Sequence, residues 1–375
     1  MFKFTEDIPI GNMGSYPKED VLFLLKDLSS IVLEQGNEDR EKAIQSGVHY
    51  SEMLPVEYKP SDVYMALYLR SLEDFGERIA DAVALVSERI YERYGNEMIL
   101  VSLARAGIPA AILIKRYLKT RYDLDLYHYT ISIIRGKGID ENALKYMLHH
   151  HPDKALQFID GWTGKGAITK ELDEAIQGFN TTYKTSLENN LAVIADPGDC
   201  VSYYGTRADF LIPSACLNST VSGLVSRTVH RTDLIGDMDF HGAKYYSELE
   251  SEDVSNAFIE RICNYFDTMK YPTKETIADL KSNATPEWKG MKDVQAIMAD
   301  YEIENIHFVK PGIGETTRVL LRRIPWKILL REDVSKDDLD IQHIVQLAAE
   351  KNIPIERFPL QAYKCCGIIQ DMRRT

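Results

Sequence analysis

Long apolar runs are absent from this sequence. No stretch approaches the roughly 18 consecutive apolar residues that a membrane-spanning helix requires. The opening segment, MFKFTEDIPIGNMG, is acidic and lacks the apolar core of a signal peptide. Cysteine is also scarce: the 375 residues contain five, without a paired metal-binding spacing. An odd number of thiols is typical of a reducing compartment, so we expect a cytoplasmic protein outside the membrane.

Basic residues are outnumbered by acidic ones. The chain has 44 lysines and arginines against 57 aspartates and glutamates, a formal net charge of −13. This balance argues against broad adhesion to nucleic acids or anionic membranes, although it leaves room for a local basic patch. The length is sufficient for two or three domains, each with its own core.

Patterns of apolar residues divide the chain into four parts. Residues 1–96 are predicted to form a helical N-terminal extension. Alternating strand and helix patterns in 97–242 predict an α/β domain with a parallel, doubly wound sheet. Residues 243–302 predict an acidic helical connector, and 303–375 a separate small α/β domain. Ligands of doubly wound sheets bind outside the carboxyl ends of the strands, where four loops are expected: 102–109, 135–140, 161–167 and 214–222.

The loop in FIDGWTGKGAI, residues 158–168, has the composition of a phosphate-binding turn. It is not a Walker A loop, because Gly166 stands where that motif has a hydroxyl after Lys165. A glycine-rich turn that opens a helix still presents backbone N–H groups to an anion. The Thr163 hydroxyl adds a donor and Lys165 a charge. Asp160 would repel a phosphate, so we expect it to face a sugar diol or a metal ion; a tight turn without a ligand is the alternative.

Two segments resemble the type I phosphoribosyltransferases. LQFIDGWTGKGAI resembles their PRPP-binding loop, and LVSLARAGIPAAI at 100–112 resembles their pyrophosphate loop. The resemblance implies catalytic roles for Asp160 and Arg105, with Mg²⁺ brought by PRPP and Asp160 as its protein ligand. It departs at Gly161, where that family usually has a second acid. The implied phosphate contacts are Ser102, Ala104, Ala106, Gly107, Gly161, Trp162, Thr163, Gly164, Lys165 and Gly166.

Nearly all of 11–375 resembles the StiP family, phosphoribosyltransferase-like proteins of bacterial tellurium-resistance (TerD-type) stress operons. The resemblance rests on GSYPKEDVLFLL, SIIRGKGIDE, FIDGWTGKGAI and PSACLNSTVSGLVSRT. It implies a pentosyltransferase that uses PRPP or a related ribose phosphate and is coupled to an RNA-binding domain, with a homodimer as one assembly that this interpretation allows. The alternative from another class is a non-catalytic, ribose-phosphate-sensing RNA-binding protein, which the glycine at 161 favours.

The label "cysteine protease" is also used in this family. It implies Cys216 as a nucleophile, with His230 or His241 as its base. The neighbouring sequence offers only a helix N-terminus to lower the pKa of that thiol, so a buried structural cysteine fits better. We interpret polar residues of the loop 135–140 and of the segment that follows Pro213 as the lining of a pocket beside the phosphate loop. Arg135 and Lys137 lie either on a mobile flap over the phosphates or on an exposed loop. The predicted lining residues are Arg135, Lys137, Ser214, Asn218, Ser219, Ser222 and Arg227.

GIGETTRVLLRR, residues 312–323, resembles the Pelota and ribosomal L7Ae type of RNA-binding module. The motif of that module is Gly-x-Asn-Glu-x-Thr-Lys, and Gly314 replaces its asparagine. Residues 306–331 carry six basic side chains against one acid, a basic island on an acidic chain. A solvated helix face is the alternative. The predicted RNA contacts are Lys310, Gly312, Gly314, Glu315, Thr317, Arg318, Arg322 and Arg323.

Overall fold

The computed structural model describes residues 13–36, 43 and 46–371. Its strands are β1 (Leu22–Phe23), β2 (Lys26–Asp27), β3 (Glu34–Gln35), β4 (Leu54–Pro55), β5 (Met98–Leu103), β6 (His128–Ile131), β7 (Ile133–Ile134), β8 (Gly138–Ile139), β9 (Ala155–Trp162), β10 (Leu191–Ala195), β11 (Tyr203–Thr206), β12 (Gly242–Ala243), β13 (Val309–Pro311), β14 (Pro325–Arg331), β15 (Ile355–Phe358) and β16 (Cys365–Ile369). The α-helices are α1 (Asp62–Tyr94), α2 (Gly107–Tyr122), α3 (Glu141–His150), α4 (Ala167–Tyr183), α5 (Ser255–Cys263), α6 (Lys274–Ser282), α7 (Lys289–Asp300), α8 (Ile313–Arg322) and α9 (Gln342–Glu350).

A six-stranded sheet with the order β1-β6-β5-β9-β10-β11 carries the first domain, and every neighbouring pair in it is parallel. All six residues of β5 are buried, as expected of a central strand covered on both faces. Helices α1 and α2 pack into one hydrophobic core, and α3 and α4 into another. The prediction of an α/β domain with a parallel central sheet and helices is confirmed.

The N-terminal part differs from the helical extension predicted for 1–96. Helix α1 is present, with Phe75, Ile79, Val83 and Val86 buried on one face. Before it, the described residues contain the short strands β1 to β4, and β1 joins the central sheet next to β6. The apolar run around Leu22 is helical by propensity, but its backbone pairs with β6, so tertiary contact overrides propensity. Residues 1–12 lie outside the described part.

Two further expectations fail in the segment after β10. ADFLIP is not a strand, and the helix expected in NSTVSGLVSRTVH is only a 3-10 turn, Ser219–Val221. Serine hydroxyls there compete for the backbone: Ser222 Oγ donates to the Asn218 carbonyl. Gly223 adopts a positive φ of 77°, which interrupts helical geometry.

The C-terminal domain is a four-stranded sheet with the order β13-β16-β14-β15. Helices α8 and α9 connect its strands, and the segment predicted as a helical connector contains α5, α6 and α7. Within the described ranges, no helix is both long enough and apolar enough to span a membrane.

Candidate functional site

The two predicted phosphate loops touch each other at the carboxyl edge of the sheet. A Cβ at Gly107 would lie 2.4 Å from the Ile159 carbonyl oxygen, so only glycine lets α2 begin this close to β9. A Cβ at Gly161 would lie 3.1 Å from the Ala106 oxygen. The sequence therefore placed these loops together correctly, and what they bind stays a prediction.

Asp160 lies at this junction with one described hydrogen bond, from the Gly161 N–H to its Oδ1 at 2.7 Å. Burial raises the pKa of this carboxyl to about 7, although the Gly161 bond opposes the shift. Near neutral pH the protonated and the ionised form of this carboxyl are therefore both populated. Among the described residues, no group of three or more histidine, cysteine or acidic side chains is arranged to hold a metal ion. Asp160 as a ligand of PRPP-bound Mg²⁺ therefore stays a prediction.

Arg105 contacts two other segments of the chain, one before helix α1 and one after strand β11. Its Nη1 donates to the Val225 carbonyl at 3.3 Å and lies 3.9 Å from Glu57 Oε2, and burial lowers the pKa of its guanidinium. Ser102 faces into the sheet, where its hydroxyl lies 2.8 Å from His128 Nε2 and is fully buried.

Thr163 is part of a buried polar network that the sequence analysis missed. Its hydroxyl donates to Asp196 Oδ1, and the Asp196 carboxylate also accepts the N–H groups of Cys200 and Val201. Arg207 Nη1 lies 3.2 Å from the same carboxylate. Asp196 follows the apolar run LAVIA directly, so an acid at a strand end was the signal that could have revealed it.

Lys165 points from the glycine-rich turn into the C-terminal domain. Its Nζ donates to the carbonyls of Ile306 at 2.7 Å and Val309 at 3.1 Å. Burial, and then the charge of Lys310, lowers the pKa of this amine to about 8. The Tyr363 hydroxyl donates to the Gly164 carbonyl at 2.9 Å. The C-terminal domain therefore covers the turn.

A small cleft remains between the two domains. Trp162, Thr163 and Gly164 line it from the first domain, and Gly312 and Glu315 from the second. The cleft unites the two motifs that the sequence analysis had placed in separate sites.

Helix α8, with the predicted RNA-binding turn at its start, packs onto the first domain. The Ile313 N–H donates to Asp209 Oδ1 at 2.9 Å. Arg318 Nε donates to the Ala215 carbonyl at 3.0 Å. Arg322 donates to the Cys216 carbonyl at 2.6 Å and to Asn218 Oδ1 at 2.7 Å. Two of the cations predicted to contact RNA, Arg318 and Arg322, therefore bind oxygen atoms of the same chain.

The other predicted RNA contacts separate into buried and open positions. Thr317 is buried and bonded to the Ile313 carbonyl and to His343. Gly312 has a positive φ of 84°, and Gly314 packs close to Ala215. Lys310 and Glu315 are half-buried, and Arg323 is exposed.

The predicted pocket-lining residues mainly hold loops. Ser219 donates twice to Glu57 Oε1, and Ser222 and Asn218 bond within their own segment and to α8. Arg227 donates to the carbonyls of Tyr50 and Met53. Lys137 binds Glu52 Oε1 and the His230 carbonyl at 3.0 Å each. Ser214 is half-buried and Arg135 is exposed.

Cys216 is fully buried, and burial raises the pKa of its thiol to about 12. The two histidines proposed as its base face each other, with ring centres 4.5 Å apart, and His241 Nδ1 lies 2.8 Å from Ser132 Oγ. Across the residues that the structure describes, no hydrogen bond joins a cysteine to a histidine. Burial also raises the pKa of Cys200 to about 12; its Sγ lies 3.8 Å from the Gly164 carbonyl oxygen.

Comparison with known proteins decides the family. Residues 14–263 match the model described as tellurite-like stress resistance cysteine protease StiP. A relative from Acinetobacter baylyi (strain ATCC 33305 / BD413 / ADP1), named "Cysteine protease StiP", is 31% identical over 373 residues, covering 96% of this chain and 95% of the relative. The chain belongs to the StiP family. Residues 288–371 also match the model described as PELOTA RNA binding domain, so both predicted resemblances are confirmed.

The StiP match corrects the predicted chemistry. The main prediction, that the chain is a pentosyltransferase that uses PRPP, is wrong, because the family model and the relative are both named as cysteine proteases. The glycine-rich turn of a StiP protein resembles a phosphate loop in composition, but Thr163 and Lys165 make internal bonds here. A loop sequence indicates backbone geometry more reliably than it indicates a reaction.

Proposed function

We propose that this chain is a cysteine peptidase of the StiP kind with an RNA-binding C-terminal domain. The observation that carries the first part is the similarity to a protein named as a cysteine protease along nearly the whole of both chains. The match of 288–371 to an RNA-binding model supports the second part.

Cys200 is the nucleophile that the geometry favours. It lies beside the glycine-rich turn at the carboxyl edge of the sheet, where doubly wound domains place their ligands. The Thr163 hydroxyl contacts both the thiol and the Asp196 carboxylate. Burial raises the pKa of Asp196, which makes its carboxylate a stronger base. A proton that leaves Cys200 therefore has a route to Asp196, although the charge of that carboxylate also raises the pKa of the thiol. Cys216 has Ser71 as its neighbour, and the charges of Arg318 and Arg322 lower the pKa of that thiol against the effect of burial.

The thiol of Cys200 is protonated and covered in this conformation. A Cβ at Gly166 would lie 2.3 Å from the Trp288 ring and 2.9 Å from Cys200 Sγ, so the indole and the sulfur crowd the same point of the turn. A thiolate is the form that attacks a peptide carbonyl. Displacement of Trp288 would admit both water and substrate, and peptide hydrolysis is expected to require it. The Cys200 sulfur would then bond to the carbonyl carbon and the amine would leave with a proton, before water hydrolyses the thioester.

Hydrolysis of an unfolded protein substrate by the Cys200→Ser and Cys216→Ser variants tests this proposal. We expect the first variant to lose activity and the second to retain most of it, with circular dichroism as the check of folding. Alkylation by iodoacetamide, located by mass spectrometry, should reach Cys200 faster in Trp288→Ala than in the unmodified chain. Loss of activity only in Cys216→Ser would reassign the nucleophile. Full activity in both variants would exclude these two thiols.

RNA binding is the second candidate function, and the match of residues 288–371 to the PELOTA RNA binding domain favours it. Fluorescence anisotropy of a labelled RNA with the full chain measures the affinity and its dependence on salt. Binding that weakens with rising salt is expected, because phosphate contacts release counterions. An affinity that does not change with salt would contradict phosphate contact.

Several finer expectations stay proposals. The parallel sheet is compatible with a type I phosphoribosyltransferase-like fold, and that fold would not by itself imply the transfer reaction. The sequence arguments alone support four of them: recognition of a ribose phosphate, the accompanying Mg²⁺, a homodimer and a cytoplasmic location. The five free thiols suit a reducing compartment.

A further inference from the structure

An aromatic cavity of about 200 Å³ opens in the C-terminal domain, within the segment that matches the RNA-binding model. No residue of helix α8, which packs on the first domain, lines it. A cavity of about 150 Å³ is sufficient for benzene, so this one has room for a flat ring system. Its lining residues include Tyr301, Phe308, Trp326, Ile368, Glu304 and Asp371.

Two rings form a corner of this cavity. The Tyr301 and Trp326 ring centres lie 5.8 Å apart, and the ring planes are nearly perpendicular at 87°. Trp326 is 40% exposed, and Ile324, two residues earlier, is 55% exposed. Large apolar side chains that stay together on a surface mark a binding site. A planar ligand can stack on one ring of this corner and meet the other ring at its edge.

The corner is held in place by Glu356. The Tyr301 hydroxyl donates to its Oε2 at 2.9 Å, and Lys327 Nζ donates to its Oε1 at 2.7 Å. The same amine lies 4.7 Å from the centre of the Tyr301 ring and 4.4 Å from that of the Trp326 ring. Lys327 is not one of the residues that line the cavity, so it fixes the rings without filling the space. Walls that are fixed before binding lose little side-chain entropy when a ligand enters.

The carboxylates of the cavity favour a ligand with N–H donors over an anion. Glu304 and Asp371 contribute acceptor oxygens, and their negative charge would repel a phosphate placed among them. Proteins that bind single-stranded RNA stack unpaired bases on aromatic side chains and form hydrogen bonds to their Watson–Crick edges. On that edge guanine carries two adjacent N–H donors, which match the two oxygens of a carboxylate, whereas adenine carries only one donor group.

We propose that this cavity binds a guanine base of RNA, which stacks on Trp326 and donates to the Glu304 carboxylate. The proposal rests on the RNA-binding function proposed above and specifies where the protein reads a base. The phosphates of the RNA lie outside the cavity, away from its acids. A free guanine nucleoside shares this chemistry, so the two sources need separate measurements.

Ligand-observed NMR titrations of guanosine and adenosine with the full chain test the cavity without a charged ligand. Guanosine should bind more tightly than adenosine, and Trp326→Ala should weaken its binding by about five-fold or more. Trp326→Phe keeps a ring and should retain most of the affinity, whereas Glu304→Gln should reduce the preference for guanosine. Tyr58→Ala and Glu350→Gln are matched controls, because both side chains are exposed and neither lines the cavity.

Fluorescence anisotropy of a labelled single-stranded RNA of about 12 nucleotides tests the RNA arm. Replacement of its one guanine by adenine should weaken binding to the unmodified chain several-fold. The same replacement should have little effect on binding to Trp326→Ala, because that variant has lost the stacking ring. Circular dichroism checks that each variant is folded.

The outcomes separate this proposal from RNA binding in general. RNA binding that Trp326→Ala and Glu304→Gln leave unchanged overturns the cavity site and leaves the RNA function standing. Guanosine binding that both variants weaken, without RNA binding by the unmodified chain, supports the cavity and contradicts the RNA function. Equal affinities for guanosine and adenosine overturn the recognition of guanine, and equal losses in the variants and the controls overturn the site.

Discussion

Arg322 and Arg323 are neighbours in sequence and both are exposed, but they differ in their contacts. The Arg322 guanidinium donates to the Cys216 carbonyl and to Asn218 of the first domain, whereas the Arg323 side chain makes no hydrogen bond to the residues that the structure describes. Arg318 and Arg322 are four residues apart, on one face of α8. Arg323 follows the end of the helix, where the backbone is extended at φ −128° and ψ 179°. A basic segment can therefore supply both an intramolecular contact and an open cation, and the charge count does not distinguish them.

Asp209 should show the largest effect on the intramolecular side of this comparison. Its carboxylate accepts the N–H groups of Ile313 and Lys364 at 2.9 Å each and is 5% exposed. Asp209→Ala leaves two buried donors without a partner, so we expect a loss of roughly 3 kcal/mol in the free energy of unfolding. Urea denaturation measures it. Asp333→Ala, at an exposed acid, is the control and should change stability very little; equal effects would contradict the bridging role of Asp209.

Substitution of the neighbouring arginines sharpens the comparison directly. Arg322→Ala should cost about 1–2 kcal/mol, since charged donors to two oxygens are removed from a side chain that is partly open to water. Arg323→Ala should stay within about 0.5 kcal/mol. The same urea experiment measures both variants. Equal losses would show that the packing of α8 on the first domain contributes little.

A pH titration extends the comparison to Asp160, a carboxyl with fewer donors than Asp209. Burial raises its folded pKa to about 7, above the unfolded value of about 3.9. Its contribution to stability is therefore fully present below pH 4 and is lost as the pH rises through 7. Asp160→Asn lacks this loss, so its melting temperature relative to the unmodified chain should rise between pH 5 and pH 8. Asp153→Asn, at an exposed position, should show no such trend; a flat difference for Asp160→Asn would contradict the raised pKa.

A modest effect is expected for the buried thiol of Cys216. Cys216→Ser replaces a fully buried thiol by a hydroxyl of similar size next to Ser71, so we expect a loss of about 1 kcal/mol. Differential scanning calorimetry measures the shift in melting temperature. A stability loss as large as that of Asp209→Ala would mean that Cys216 packing matters as much as the contact between the domains.

The sequence was sufficient for the elements with strong local patterns. β5 and β9 are apolar runs that end in glycine-rich turns, so their loops could be placed at one edge of the sheet. The two-residue strand β1 has no periodicity of its own and exists only because β6 pairs with it. The hydrogen bonds from Thr163 to Asp196 and from the Ile313 N–H to Asp209 join residues far apart in the chain, so no local spacing reveals these partners. The packing of α8 on the first domain could not be predicted for the same reason, since its hydrogen-bond partners lie about a hundred residues earlier in the chain.

The position of β16 has a consequence for biosynthesis. This last strand of the described chain is inserted between β13 and β14, and Tyr363, just before it, reaches the turn at Gly164. A ribosome must therefore have made residues 363–369 before the C-terminal sheet can form or cover the first domain. The α/β domain is expected to fold earlier, and its glycine-rich turn should stay accessible to chaperones and proteases until the C-terminal domain has formed.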